Sequence, residues 1–256
     1  MKFFLAPMQG LTGYTVRNAF HHNFDYIDKY YTPFIPAAKR MNAKIKRDID
    51  PVNNDGITLI PQAMSIVADE VIDLHRQLVP YGYDEINVNL GCPSGTVVSK
   101  KRGSGILAYP DMLDSFLDEL YTKADFPVSI KTRVGFNDDE LWPKLIEIYS
   151  KYPISELTVH PRVQKDFYKN TPRMDDFALA MQKINPDKTT LCYNGDITDT
   201  NSFNALTDCF PDIDEIMIGR GLFANPALIA ELKGISMDKA ELRERLKLSL
   251  IHISEP

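Results

Sequence analysis

Eight short apolar runs bounded by turn residues, with amphipathic stretches of helical length between most of them, predict an α/β chain closed into a parallel (β/α)8 barrel. Polar groups follow nearly every run, and a barrel of this kind commonly reaches 256 residues as a single unit. In order, the predicted strands are Phe3–Ala6, Tyr26–Tyr31, Thr58–Gln62, Glu85–Asn89, Val128–Lys131, Glu156–His160, Thr190–Asn194 and Glu215–Ile218. Helices are predicted over 67–80, 111–123, 138–152 and 174–184, where apolar residues recur at three- and four-residue spacing. The second unit is the least regular. Residues 33–56 carry Pro33, Pro36 and Pro51 and read as an elaborated loop.

Hydrophobic residues make up 44% and charged residues 25%, the balance of an ordinary globular chain. No apolar run approaches a membrane span, and the N-terminal apolar stretch is broken too early, at Pro7, for a signal peptide. Cys92, Cys192 and Cys209 are odd in number, far apart and without metal-ligand spacing. Neither a disulfide framework nor a metal site is expected, and the expected compartment is cytoplasmic. A net charge of −6 argues against a generic nucleic-acid coat while leaving room for a local basic face. Residues 37–48 hold five cations against one anion, and Lys100-Lys101-Arg102 adds three more. Such runs are either solvated surface or phosphate contacts.

In a parallel barrel the C-terminal strand ends surround one mouth, where active sites are built. The residues following the predicted strands are Pro7-Met8, Thr32, Gln62, Asn89 with Cys92, Lys131 with Arg133, His160 with Arg162, Asn194-Gly195-Asp196 and Gly219-Arg220-Gly221. Each has a structural alternative: His160 as a hydrogen-bonded core histidine, Lys131 as a rim cation, Asn194-Gly195 as turn chemistry. Their common location points to a site. Gly195, Gly219 and Gly221 let backbone N–H groups approach an anion, and Arg220 supplies a fixed charge, as in the phosphate cradle of the last two barrel loops. Asn87 and Asn89 share one face of their strand, and Cys92 follows in a turn bounded by Gly91 and Pro93.

Leu5-Ala-Pro-Met-Gln-Gly-Leu-Thr12, Asn87-Val-Asn-Leu-Gly-Cys-Pro93, Lys131-Thr-Arg133, His160-Pro-Arg162, Asn194-Gly-Asp-Ile197 and Ile218-Gly-Arg-Gly221 together resemble the tRNA-dihydrouridine synthases, in family order across residues 5–226. The resemblance implies a TIM barrel that uses FMN as cofactor and NADPH as reductant to convert a tRNA uridine to dihydrouridine. It implies that Pro7 and Met8 pack on the isoalloxazine, that Gln62 bonds its pyrimidine edge, and that Lys131 lies near N1/O2. His160 would meet the flavin or its ribityl side, and Asn194, Gly195, Asp196, Gly219 and Arg220 its tail and phosphate. Asn89 and Arg133 would meet the uracil edge, with Arg162 and Tyr168 as further substrate contacts. Cys92 would protonate C5 from the face opposite the hydride; an ordinary thiol, with a pKa of about 8.5, holds that proton at neutral pH. Extruding a stacked uridine costs a few kcal/mol, which implies RNA contacts elsewhere, including Lys39, Arg40, Lys100, Lys101 and Arg102. A monomer is expected.

The chain departs from the family pattern in three places. Thr12 is followed by Gly13 where the family commonly carries Asp, so any role of that acid is absent or moved. The stretch Pro161-Arg-Val-Gln-Lys-Asp-Phe-Tyr-Lys169 replaces a common Gly-Arg-Thr pattern but keeps Arg162 and Tyr168. Finally, Leu248-Ser-Leu-Ile-His-Ile-Ser-Glu-Pro256 resembles the translation of a library-preparation adapter. The expected organisation is therefore a catalytic barrel over 1–236, the start of a truncated C-terminal helical tRNA-binding domain over 237–247, and a non-native tail over 248–256. Two other functions fit the same fold: an FMN barrel acting on a free pyrimidine, similar to dihydroorotate dehydrogenase, and a barrel that holds flavin or tRNA without turnover.

Overall fold

The computed structural model describes residues 1–38 and 40–254, with side chains described as far as Ser249. Its centre is a parallel sheet that closes on itself. The strands are β1 (Lys2–Leu5), β2 (Lys29–Tyr31), β3 in two pieces (Leu59–Ile60 and Gln62–Met64), β4 (Ile86–Leu90), β5 (Val128–Gly135), β6 (Glu156–Val163), β7 (Thr190–Tyr193) and β8 (Glu215–Ile218). Closure runs through β3. Tyr30 and Tyr31 pair with Leu59 and Ile60 on one side, and Gln62 and Ala63 pair with Asn87 and Val88 on the other. Pro61 interrupts the strand because it has no N–H to donate. The ladder is carried past it by the Pro61 carbonyl, which accepts from Asn87 N at 2.9 Å, and by Gln62 N, which donates to Thr32 Oγ1 at 2.9 Å. β8 returns to β1 in register, Lys2 beside Glu215 and Leu5 beside Ile218, which completes the barrel.

The outer helices follow from their burial pattern. Ala68–Leu78 buries Val71, Ile72, Leu74, His75 and Leu78, with Asp69 and Glu70 in its first turn, where carboxylates suit the helix dipole. Pro110–Lys123 starts on Pro110 and buries Leu113, Phe116, Leu117 and Leu120. Thr200–Cys209 is capped by Asp199, whose carboxylate accepts from Ser202 N at 2.8 Å. The predicted helix over 138–152 forms only at Trp142–Tyr149, and that over 174–184 at Met174–Lys183.

Two regions depart from the sequence expectation. The proposed loop 33–56 contains the short strand Ile35–Pro36, the helix Ala43–Ile49 capped by Asn42, and a 3-10 turn over Pro51–Asn53. Its prolines sit outside the helix interior, where they do no harm. β5 and β6 also run beyond the predicted Lys131 and His160, to Gly135 and Val163, and still pair at Gly135 and Val163 after a register shift near Arg133. At the far end, helix Lys239–Ser254 packs on helix Tyr14–Asn23, where Arg245 Nη1 donates to the Asn23 carbonyl at 2.7 Å. This helix crosses the expected boundary at 247/248; Glu255 and Pro256 lie outside the described residues.

Candidate active site

The C-terminal strand ends enclose a cavity of about 420 Å³, within the range of small-molecule sites. Pro7 and Met8 border it, as do Gln62, Asn89, Cys92, Lys131, Arg133, His160, Tyr168, Asn194, Gly195, Asp196, Gly219 and Arg220. Strand register explains why residues from several motifs meet there: Asn89 is paired with Lys131 across β4–β5, and Arg133 with His160 across β5–β6. Phe34, Gln9 and Leu11 also border the cavity and were not foreseen. Phe34 could have been noticed as an aromatic just past a strand end, but the proline-rich reading of its segment hid it.

On the β3–β4 side the amides form a chain. Gln62 Nε2 donates to Asn87 Oδ1 at 2.8 Å, and Asn89 Nδ2 donates to Gln62 Oε1 at 2.7 Å. Asn89 Oδ1 then accepts from the backbone N–H of Gly91 and of Cys92, at 3.1 and 2.9 Å. Asn89 therefore fixes the turn that carries the thiol, which leaves one of its amide hydrogens for a ligand. From the other side, Ser104 bonds the Cys92 carbonyl through both its N–H and its hydroxyl. Gly103, at φ +54°, lies so close that a Cβ there would meet the Cys92 carbonyl at 2.7 Å. Burial pushes the Cys92 thiol upward, more than the Ser94 N–H, Arg133 and Lys131 pull it down, so it keeps its proton at neutral pH.

Lys131 makes no hydrogen bond or ion pair among the described residues. Burial, and then the neighbouring Arg133, bring it down to about 7. An unpartnered ammonium bordering a cavity is a ready partner for an anionic ligand atom. His160 is held neutral by burial and by Arg133, Lys131, Arg162 and Arg220 around it. Arg162 Nη1 donates to His160 Nε2 at 3.1 Å, and because a guanidinium can only donate, the imidazole proton must sit on Nδ1.

The arginines divide by role. Arg133 donates to the carbonyls of Gly91, Val163 and Phe167 at 3.0, 2.9 and 2.7 Å, so it ties rim loops together while still bordering the cavity. Arg162, expected at the substrate, does not border the cavity. It is fully buried and committed to the carbonyls of Lys169 and Asn170, to His160 and to both Asp196 oxygens. That is a correction with a plain cause: a buried guanidinium needs all its donors matched. Arg220 is half-exposed; it pairs with Asp196 at 2.6 Å and lies over the Tyr168 ring at 5.0 Å. Tyr168 in turn stacks on His160, centroids 6.4 Å apart.

The glycines of the expected anion cradle are not equivalent. A Cβ on Gly221 would meet the Ile197 carbonyl at 2.1 Å, so that glycine serves close packing. A Cβ on Gly219 would first meet Ala6 and Met8, at 3.3 and 3.7 Å, on the cavity side.

The described residues of the basic runs lie outside the cavity lining. Arg40 and Lys100 are exposed, Lys101 lies over the Tyr109 ring at 4.3 Å, and Arg102 is paired with Glu70 at 3.2 Å. Lys39 lies outside the described residues. The absent acid at position 13 has a counterpart. Asp48 Oδ1 sits 3.3 Å from where a Gly13 Cβ would be, accepts from Tyr14 N at 2.7 Å, and its carboxylate pairs with buried Arg17 at 3.3 Å. Arg17 Nη1 also holds the Thr12 carbonyl at 2.7 Å, and Thr12 Oγ1 accepts from Met8 N at 2.9 Å, so this cluster braces the Pro7-Met8 turn.

Among solved structures, the chain resembles a variant of NCR from Zymomonas mobilis at a TM-score of 0.62 and 11% identity, covering 100% of this chain and 94% of that one. Morphinone reductase follows at a TM-score of 0.61 and 11% identity, covering 94% and 88%. At that identity the likeness concerns the barrel fold alone. Among curated relatives, tRNA-dihydrouridine synthase B of Pasteurella multocida (strain Pm70) is 27% identical over 268 residues, 99% of this chain and 77% of the relative. Its namesake from Escherichia coli (strain K12) is 30% identical over 181 residues, 70% of this chain and 55% of the relative. A family model described as Dihydrouridine synthase (Dus) matches residues 4–255. The likeness thus spans the strand ends that build the cavity as well as the barrel beneath them, and the chain belongs to the dihydrouridine synthase family.

Proposed function

We propose that the chain binds FMN across the barrel mouth and, with NADPH as reductant, reduces a uridine of tRNA to 5,6-dihydrouridine. The observation that carries this reading is the meeting of Cys92, Lys131 and His160, from three strand ends, around one cavity. The residues fit the cofactor. The cavity has the volume of a cofactor site, Lys131 offers a cation with no partner among the described residues, and Arg220 stands at the rim beside Gly219.

When bound, the flavin supplies the hydride that reaches C6 of uracil. The protein's own groups do the rest. Pro7 and Met8 give an apolar floor, and Gln62, oriented by Asn87 and Asn89, offers an amide to the pyrimidine edge of the ring. Lys131 holds positive charge where negative charge accumulates, and the Nδ1–H of neutral His160 is a donor on the same side. Asn194, Gly195, Gly219 and Arg220, with Asp196 steering Arg220, receive the tail and phosphate. On the opposite face Cys92 gives its proton to C5 of uracil, while Asn89, Arg133 and Tyr168 orient the base. Arg162 acts by fixing His160 and Asp196. Arg40 and Lys100 to Arg102 contribute RNA contacts outside the cavity, Lys39 joins them in binding RNA, and the helix from Lys239 helps to hold RNA against the barrel.

Purified chain is expected to carry flavin absorbance, to be reduced by NADPH, and to be reoxidised by unmodified tRNA but not by orotate or free uridine. Cys92→Ala should keep the flavin and lose roughly 10²–10⁴-fold in uridine reduction, the usual weight of a general acid. Turnover by that variant at the wild-type rate would remove Cys92 from the chemistry.

A further inference from the structure

We propose that the rim loop 164–170 is a contact for single-stranded RNA, with the Phe167 ring stacking on a base next to the one drawn into the cavity and Lys165 and Lys169 meeting the flanking phosphates. The proposal rests on the tRNA reading above and names a surface that reading leaves unassigned.

The loop has an inverted construction. Its carboxylate and several backbone carbonyls are turned inward and matched: Asp166 accepts from Val163 N at 3.1 Å and from Asn170 Nδ2 at 2.6 Å, and it pairs with Arg173. Arg133 holds the Phe167 carbonyl, and Arg162 those of Lys169 and Asn170. The large apolar ring points the other way. Phe167 is 47% exposed although buried aromatics are among the strongest stabilisers available to a fold. Its backbone is held at φ +51°, ψ −96°, a strained setting for a bulky residue. Strain maintained by several buried anchors to keep an aromatic ring in water is the arrangement expected of a binding element.

The neighbours indicate the partner. Lys165 and Lys169 are exposed and have no ion pair among the described residues. Tyr168, between the aromatic and the second lysine, borders the cavity, whereas Phe167 does not. Successive aromatics therefore serve the inside and the outside of the same mouth. When a uridine leaves its stack, an adjacent base loses a stacking face. An exposed aromatic flanked by cations supplies a π-surface and phosphate charge together, which is how single strands are held without sequence readout.

The test uses the flavin-loaded chain, an unmodified tRNA transcript, and three variants: Phe167→Ala, Phe167→Gly and Lys165→Ala/Lys169→Ala. Phe167→Ala should weaken tRNA binding roughly 5- to 100-fold, the usual effect of losing one stacked base. The double lysine variant should reduce the slope of log affinity against log salt by about 1 to 2. Phe167→Gly relieves the positive φ, so its Tm should not fall below that of the wild type while its tRNA affinity falls. Wild-type affinity in Phe167→Ala overturns the proposal. So does a Tm loss of several degrees in Phe167→Gly with unaltered binding, which would make the ring structural or part of a protein contact. Failure of the wild-type chain itself to bind tRNA would instead overturn the tRNA reading, and this proposal with it.

Discussion

The two ends of the barrel are built from opposite charges. At the N-terminal end, Glu85, Glu156 and Glu215 face Lys2 and Lys29. Lys29 bonds Glu156 Oε2 at 2.7 Å, Tyr31 and Thr158 donate to Glu156 Oε1 at 2.7 and 2.8 Å, and Lys2 meets Glu215 at 3.1 Å. At the C-terminal end, Lys131, Arg133, Arg162, Arg220 and His160 act on one another, and of these Arg162 and Arg220 are paired with Asp196. The base is largely self-matched, with Glu85 Oε1 and Glu215 Oε2 among the buried oxygens left unbonded in the described residues. Burial, and then repulsion from Glu156, raises Glu215; Glu85 is likewise raised first by burial. The mouth keeps positive charge in reserve. The difference separates an end whose charges are largely paired within the fold from an end that leaves Lys131 without a partner among the described residues, in line with the division of labour in this architecture.

The largest expected effect breaks the base. Glu156→Ala leaves Lys29 without its buried partner and should cost about 3–5 kcal/mol in denaturant-unfolding stability. Flavin content of the folded fraction should stay at the wild-type level. Loss of flavin equal to that caused by a mouth substitution would mean that the two ends are not separable.

Next comes Lys131, where function and stability should move in opposite directions. With its folded value near 7 and an ordinary value of 10.5, the unfolded chain binds this proton across that window and the folded chain does not. The lysine's contribution to unliganded stability therefore rises with pH from about 7 to 10.5, and its burial cost is fully present below 7. Lys131→Met should flatten that slope and raise the Tm of flavin-free chain. Because an anionic ligand atom favours the ammonium form, wild-type flavin affinity should fall as pH rises above 7, by up to about tenfold per unit. The Met variant should bind more weakly at pH 6 and show no such pH dependence.

The smallest effect sharpens the picture of the mouth's outer support. Asp48→Ala should lower stability by about 1–2 kcal/mol, the scale of a lost helix cap. Adding Gly13→Asp in that background should recover much of it, since the new carboxylate occupies the same ground at the start of helix Tyr14–Asn23. Thermal melts of the single and double variants decide the point; no recovery would mean that Asp48 acts through Arg17 alone.

Much of the site was legible because strand geometry is local. Once Asn89, Lys131 and His160 stand at the ends of parallel strands, their meeting follows from topology, and no long-range packing detail is needed. Arg162 illustrates where that logic ends. A motif places it two residues past His160, yet only the folded loop 164–170 decides that its donors turn to carbonyls and Asp196. The helix Ala43–Ile49 and the bracing role of Asp48 were hidden for a related reason, since the partner of residue 13 lies 35 positions away in a segment rich in prolines.

By itself, then, the sequence determined the barrel, the order of its strands and the identity of the thiol, cation and imidazole at their ends, because periodicity and turn chemistry act over a few residues. The tertiary structure alone decided which charges are matched and which are left open, since burial and hydrogen-bond partners come from chain segments that meet only in the folded molecule. It also decided that Phe167 stands in water and Arg162 does not.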